Sequence, residues 1–308
     1  MKALRIHGFG TPEKAVLEEA ATLAPPADAQ IAVRIEAASI NPLDLKILAG
    51  HMQSVFPVAL PYTLGTDFTG VVEAVGPLAS RFRLGDRVVG RLDPTKGGAL
   101  AEAALVPEQA LCPLPAGMGW EQAAALPTAA GTAWLALFGV GRLQAGQRVL
   151  VHAAAGGVGS FAVQLARQAG AHVVATASAR NQGLVSGLGA HEVIDYQAGD
   201  FAAQAQGLDL VIDTVGGLAT ERSWPLIRPG GTLVSLVDHA IEDQGAVRGA
   251  FAFFQHDASV LDRIVERFGA HQLQVVLDSI HSLEDARAAI EKVATGHARG
   301  KVIVRTSH

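Results

Sequence analysis

The stretch from Arg148 to Ser178, RVLVHAAAGGVGSFAVQLARQAGAHVVATAS, constrains the fold more than any other part of the chain. It reads as an uncharged strand (Val149 to His152), a glycine turn, a helix reaching about Gln168 and a second strand. The turn, Ala154-Ala155-Gly156-Gly157-Val158-Gly159, is a G-x-G-x-x-G pattern with alanine in its first place. Glycine lets the backbone turn sharply and approach a pyrophosphate, while the free N–H groups and dipole at the helix start favour the anion. The pattern predicts a dinucleotide, with a plain βα turn of a flavodoxin-like sheet as the alternative.

In such folds a residue about 20 positions further on meets the ribose hydroxyls, and a carboxylate there favours NAD. Here the place is Ser178, followed by Ala179, Arg180 and Asn181. A hydroxyl and a guanidinium with no neighbouring carboxylate suit a 2′-phosphate, because arginine binds phosphate through charge-assisted, often bidentate contacts. NADPH is therefore expected over NADH; the alternative is that Arg180 is a solvated surface charge.

With 308 residues, 49% of them hydrophobic and 17% charged, the chain is long enough for two ordinary domains. A net charge of −5 and a pI near 6.1, without a compensating Lys/Arg cluster, argue against a general grip on nucleic acid. Cys112 stands alone, which rules out an intrachain disulfide or a cysteine-cluster metal site and predicts a reducing, cytoplasmic setting. The opening MKALRIHGFG has none of the apolar character of a secretory signal. Two uncharged runs, Ala123 to Gly141 and Val149 to Ala166, approach membrane-span length, but Pro127, Thr128 and Gly131 break the first, and the glycine turn and His152 break the second. Buried sheet-and-helix core explains both, and no membrane partner is expected.

In chain order, residues 1 to about 117 hold β-branched segments cut by Gly and Pro: KALRIHGF, QIAVRIEAASI, TDFTGVVEAVG, DRVVG and GALAEAALV. Short strands joined by turns predict a partly open barrel. Asn41-Pro42 to Ala49 reads as a short helix with Asn as cap and Pro in its first turn, closed by Gly50. From Trp120 helix and strand alternate (EQAAALPTAAGTAWLALF, the βαβ unit, EVIDY, LDLVIDTVGG, GGTLVSLV), which predicts a parallel sheet. After Phe254 a helix (Ala258 to Phe268), a strand (Leu273 to Asp278), a helix (Leu283 to Thr295) and a strand (Lys301 to Arg305) are too few for a third domain and are expected to rejoin the first. The expected domains are thus 1–117 with 258–308, and 118–257 inserted between them.

NPLDLKILAG at 41–50, LGTDFTGVVEAVG at 64–76, LGDRVVG at 84–90, LPTAAGTAW at 126–134, HAAAGGVGS at 152–160 and GHARGKVIV at 296–304 together resemble the medium-chain dehydrogenases/reductases. The closest branch is the zinc-independent quinone oxidoreductases and alkenal/enone reductases. The resemblance implies an α/β protein with an N-terminal GroES-like, partly open β-barrel as catalytic domain, a doubly wound Rossmann domain for NADPH, and a homodimer.

In the alcohol-dehydrogenase branch Cys, His and Cys hold zinc at places that here read Asn41, Thr66 and Ala124. None is a thiolate, imidazole or carboxylate, so no metal is expected and alcohol oxidation loses its Lewis acid. The eleven histidines, from His7 to His308, form no H-x₃-H pair and read as surface or capping residues. What remains is reduction of an acceptor already electrophilic, a quinone or an α,β-unsaturated carbonyl, with the protein orienting the reactants and stabilising the developing oxyanion.

By the same resemblance Asn41 and Asp44 line the nicotinamide end of the cleft, Asn41 as a donor to the substrate oxygen or the carboxamide; helix capping is the alternative for both. Thr128 matches the residue that packs on the nicotinamide ring, or else bonds its own backbone. Tyr62 is a candidate proton donor, with solvent or ordinary packing as the competing readings. Among cofactor contacts the resemblance counts Ala154, Gly156, Gly157, Val158 and Gly159 in the turn, and Ser178, Arg180 and Tyr196 around the 2′-phosphate. It places Val215 and Val237 beside the ribose and nicotinamide, Phe253 with Phe251 and Phe254 on a pocket wall, and Lys301 within reach of the phosphates. Phenylalanines alternating in a strand are otherwise core, and a lysine opening a strand is otherwise solvated.

Two other functions share these features: an enoyl reductase acting on a thioester or natural-product intermediate, and a non-catalytic NADPH-binding sensor or crystallin-like protein, an RNA-binding version being disfavoured by the acidic pI. The phosphate-site reading has a direct check. Arg180→Ala lowers the preference for NADPH over NADH by about tenfold, the loss of one charge-assisted contact, in paired kinetic measurements; an unchanged preference rejects it.

Overall fold

The structure is a computed structural model that describes residues 1–20, 22–255 and 257–306, so His308 lies outside it. Two compact units emerge, one from residues up to Thr128 together with those after Gln255, the other from Ala129 to Gln255.

The first unit opens with β1 (Lys2–Ile6), β2 (Ala15–Glu19) and β3 (Gln30–Ile40), then α1 (Pro42–Leu48) and β4 (Tyr62–Thr63). Next come β5 (Asp67–Val75), β6 (Arg87–Arg91), β7 (Ala103–Pro107), β8 (Leu111–Pro113) and α2 (Trp120–Ala124). Asn41 in extended conformation caps α1, Pro42 opens it, and Gly50 at φ +79° ends it, as the sequence predicts.

The expected helix from residue 120 onwards breaks at Pro127, which starts α3 (Pro127–Trp134), and a π-helical turn follows at Leu135–Val140. The second unit continues with β9 (Arg148–Val151), α4 (Gly157–Gln168), β10 (His172–Ala177), α5 (Gln182–Gly187) and β11 (Glu192–Asp195). Then come β12 (Leu208–Asp213), α6 (Leu218–Ser223), β13 (Ile227–Ser235) and β14 (Arg248–Phe251). The six strands run in the order β11-β10-β9-β12-β13-β14, every pair parallel, the doubly wound order of a Rossmann sheet. The apolar residues of the four inner strands, β10, β9, β12 and β13, are almost all fully buried Val, Ile, Leu and Ala, as helices on both faces require. β14 stops at Phe251, so Phe253 and Phe254 lie beyond the strand that their alternation predicted.

The chain then returns to the first unit with α7 (Ala258–Gly269), β15 (Leu277–Ser282), α8 (Ala286–Ala294) and β16 (Lys301–Arg305). The strand expected at 273–278 is displaced because its ladder with β16 begins at Leu277, opposite Lys301. The helix expected from Leu283 starts three residues later, since Ser282 to Ala286 form a turn with Ser282 accepting the Asp285 N–H at 3.2 Å. A mixed sheet runs β15-β16-β3-β5-β6-β8, beside a three-stranded sheet β2-β1-β4. β3 is shared along its length: residues 30–34 pair with β7 and residues 37–40 with β16.

The unit boundary lies at Thr128 instead of the expected 117. Ala124 and Ala125 pack with Ala37 and Ile303, and the Thr69 hydroxyl donates to the Trp120 carbonyl at 3.1 Å, which ties α2 to the first unit.

The glycine turn shows why one residue type is required. A Cβ on Gly159 would lie 2.4 Å from the Ala153 carbonyl oxygen and 2.8 Å from Ala154 Cα, so helix and turn pack backbone to backbone. Gly159→Ala forces that backbone apart; an expected loss of about 1–3 kcal/mol, measured by denaturant unfolding, is the range for overpacked sites, and an unchanged midpoint contradicts the close approach.

Candidate active site

The register of four neighbouring strands brings distant residues of the first unit to one place. Val302 pairs with Ile40, Ser39 with Asp67, and Asp67 with Arg91, so the ends of β16, β3, β5 and β6 meet where α1 begins. Lys301 Nζ donates to the Ile40 carbonyl at 2.8 Å and to Asn41 Oδ1. Asn41 Nδ2 donates to Asp67 Oδ2 at 3.0 Å. Thr128 gives Asp67 two more bonds, from its backbone N–H at 3.0 Å and its hydroxyl at 2.6 Å, and that hydroxyl accepts from Arg91 Nε at 2.9 Å. Two cations and two carboxylates (Lys301, Arg91, Asp67 and Asp44) are all buried here, an arrangement tolerable only because nearly every lone pair and proton is matched.

Asp44 is the exception. Its Oδ2 accepts the Asn41 N–H at 2.7 Å, while its buried Oδ1 has no hydrogen-bond partner. Its pKa is raised from 3.8 to about 7, first by burial and then by the charge of Asp67, against the pull of the Asn41 N–H, Lys301 and Arg91. Burial in turn lowers the pKa of the Lys301 ammonium, opposed by the two aspartates.

The expected roles change accordingly. Lys301 joins the Asn41 cluster; its ammonium is engaged by Ile40 and Asn41, which corrects the phosphate contact expected of it. The Thr128 hydroxyl serves Asp67 and Arg91, not its own backbone. Tyr62 is buried, its hydroxyl donates to the Pro94 carbonyl at 2.8 Å, and burial pushes its pKa well above the ordinary phenol value, so it is a poor proton donor. Asp67 and Arg91 were missed by the sequence reading. Their signal was a charge at the end of an apolar strand, in LGTD and in DRVVGR.

In the second unit Gly156 precedes α4, whose first N–H groups, from Gly157, Val158 and Gly159, lack partners within the helix. Ala153 takes φ +46°, and Ala154 donates its N–H to the Thr176 carbonyl at 3.0 Å, fixing the turn between β9 and β10. A Cβ built on Gly156 meets one atom within 4 Å, the Ala153 carbonyl oxygen, so this side of the turn is open to a close backbone approach. An anion at an open helix N-terminus is what a pyrophosphate supplies, and the turn fits a nicotinamide dinucleotide.

Ser178 and Tyr196 follow the ends of β10 and β11, where Ala177 pairs with Asp195, and are therefore neighbours. Arg180 is exposed and has no ion pair among the described residues. Val215 follows β12 and Val237 follows β13, and both side chains are exposed. Phe253 is 37% exposed, which removes it from the core, whereas Phe254 covers Gly131, with a ring atom 2.4 Å from the place of a Cβ there.

Residues 27–116 match the family described as alcohol dehydrogenase GroES-like domain, and residues 188–304 the family described as zinc-binding dehydrogenase. A quinone-oxidoreductase homolog of spinach chloroplasts is 32% identical over 99% of this chain and 98% of its own. The quinone oxidoreductase of Coxiella burnetii superposes with a TM-score of 0.93 at 31% identity, covering 100% of this chain and 99% of the other. The Escherichia coli quinone oxidoreductase complexed with NADPH gives 0.89 at 25% identity over 99% and 100%. The chain belongs to the medium-chain dehydrogenases/reductases, in the quinone oxidoreductase branch. It is an oxidoreductase with a GroES-like and a Rossmann domain, and no helix among the described residues is long and apolar enough to cross a membrane.

Within this family the places of a catalytic zinc offer an amide already bonded to an ammonium (Asn41), a hydroxyl (Thr66) and a methyl (Ala124). Among the described residues no group of three His, Cys, Asp or Glu side chains is placed to hold a metal ion, and this donor set does not fit zinc.

The buried carboxyl of Asp44 has a signed consequence. Between its ordinary pKa of 3.8 and its folded value of about 7, folding takes up a proton, so its contribution to stability is fullest at low pH and is lost as pH rises towards 7. Asp44→Asn, which cannot ionise, therefore gains stability relative to the parent as pH rises from about 5 to about 8, read from paired thermal melts; a difference that stays constant with pH contradicts the burial argument.

Proposed function

We propose that this oxidoreductase is an NADPH-dependent, zinc-independent reductase of quinones or α,β-unsaturated carbonyls, with the first unit as catalytic domain and the second as cofactor domain. The observation that carries this reading is the Lys301–Asn41–Asp67 network, which engages the Asn41 amide at one of the three places where a metal-dependent relative needs a donor, the other two being Thr66 and Ala124. An acceptor that takes hydride without Lewis-acid activation suits such a site.

The bound nicotinamide supplies the hydride. The N–H groups of Gly157, Val158 and Gly159 hold its pyrophosphate, and Ser178, Arg180 and Tyr196 hold the 2′-phosphate. Preference for NADPH over NADH is supported by the unpaired Arg180 and by the NADPH complex of the Escherichia coli relative. In the first unit the Asn41 amide retains a second N–H to orient or stabilise an oxygen of the acceptor. Asp44 is the better proton source of the two candidates, since it holds a proton up to about pH 7 and its Oδ1 is unpartnered, whereas Tyr62 is bonded to Pro94. A homodimer is supported by the outer edge of β14, which has no strand partner among the described residues, and a cytoplasmic setting by the single cysteine, Cys112, buried as a thiol.

The purified protein with NADPH and a panel of an ortho-naphthoquinone, short enones and alkenals is expected to oxidise NADPH at a rate untouched by chelators. With NADP⁺ and alcohols it is expected to be inactive. Tight NADPH binding without oxidation by any acceptor rejects the enzymatic reading, and alcohol oxidation lost on adding a chelator rejects the metal-free one.

A further inference from the structure

The apolar second half of β12, Leu210 to Ile212, ends in a fully buried carboxylate, Asp213. No cation is paired with it among the described residues; four hydrogen-bond donors surround it. Oδ1 accepts the backbone N–H groups of Val215 and Gly216, each at 2.9 Å. Oδ2 accepts the hydroxyls of Thr220 at 2.6 Å and Ser235 at 3.1 Å. Burying a carboxylate is costly, and packing alone would be served by another valine or isoleucine. The charge is explained by what it holds in place.

Its two oxygens reach both loops that leave the carboxyl ends of β12 and β13. The first, Val215-Gly216, is held directly, in a turn that needs φ +84° at Gly216. The second is held through Ser235, whose hydroxyl oxygen accepts the N–H of Val237 at 3.2 Å and of Asp238 at 3.0 Å. The loops touch, since a Cβ on Gly216 would lie 3.0 Å from Val237 Cγ2. Between them they present two apolar side chains to solvent, Val215 at 54% and Val237 at 41% exposure. Thr214 adds a tie to the glycine turn, its hydroxyl donating to the His152 carbonyl at 3.0 Å.

The strand order fixes which half of a dinucleotide meets these loops. With the pyrophosphate at the turn after β9 and the 2′-phosphate group at the ends of β10 and β11, the remaining half extends to the other side of β9, over β12 and β13. We propose that Asp213, acting through Ser235, is a positioning residue that sets both loops for the nicotinamide-ribose half of the cofactor and leaves the adenosine half untouched. This rests on the dinucleotide reading of the glycine turn.

Binding of NADPH is compared with that of 2′-phospho-ADP-ribose, which lacks the nicotinamide end, by calorimetry on the full-length protein. Asp213→Ala is expected to weaken NADPH by about tenfold and the fragment by less than about twofold. Asp213→Asn keeps an acceptor for Val215 and Gly216, and the Thr220 hydroxyl can turn to accept its amide, whereas Ser235, whose oxygen already accepts from Val237 and Asp238, loses its own acceptor; NADPH affinity is therefore restored to within about threefold of the parent but not fully. Should Asp213→Ala fail to fold, Ser235→Ala, which frees only the Val237 loop, carries the same test with a selective loss of about threefold. Equal losses for both ligands, or unchanged NADPH binding in the folded variants, overturn the proposal. A parent protein that binds neither ligand overturns the cofactor reading beneath it.

Discussion

Pairing of the final strand with the third is the contact on which the first unit turns. With Val302 opposite Ile40, the ammonium of Lys301 arrives beside Asn41, and the same sheet carries Asp67 and Arg91 to the adjacent strand ends. Lys301, Asp67 and Arg91 are thereby buried at one end of the sheet beside Asp44 of α1, where water cannot screen them. The cation comes from the backbone's own register, so it is held without the thiolates or imidazoles that a metal would require.

The second unit handles a buried charge differently. Asp213 has hydrogen-bond donors around it in place of a cation, and two of them are backbone N–H groups of the loop that follows. His152, on the neighbouring strand end, is held between the hydroxyls of Thr176 at 3.1 Å and Ser223 at 2.8 Å, and burial lowers its pKa to about 4, which keeps it neutral beside the glycine turn. The carboxyl ends of β9, β10, β12 and β13 are thus braced by polar side chains beneath an otherwise apolar sheet. Such bracing suits loops that must keep their shape before a ligand arrives.

Local chemistry made much of this legible in the sequence. The glycine turn, the Asn-Pro start of α1 with Gly50 beyond its end, the last strand and the alternation of the second unit all follow from rules that act over a few residues. Displacements arose where a partner decides the outcome: β15 begins where β16 can pair with it, and the boundary moves to Thr128 because α2 packs on Ala37 and Ile303. Lys301 shows the limit most clearly. Its partner Asn41 is 260 positions away, and nothing local in RGKVIV distinguishes an ammonium bound for a phosphate from one that closes a buried network. Asp67, Arg91 and Asp213 were hidden for the same reason, as single charges whose meaning depends on strand neighbours.

The discontinuity of the first unit bears on how the chain is made. Residues 129–255 are complete while the first unit still lacks its closing strand, so the second unit can fold during synthesis and the first must wait for β16 to emerge. Until β16 arrives, the residue 37–40 edge of β3 has no neighbour on that side, and Asp67 and Asp44 lack the lysine that offsets them. The strands made before residue 129 therefore reach their final form only after β16, synthesised much later, has joined them.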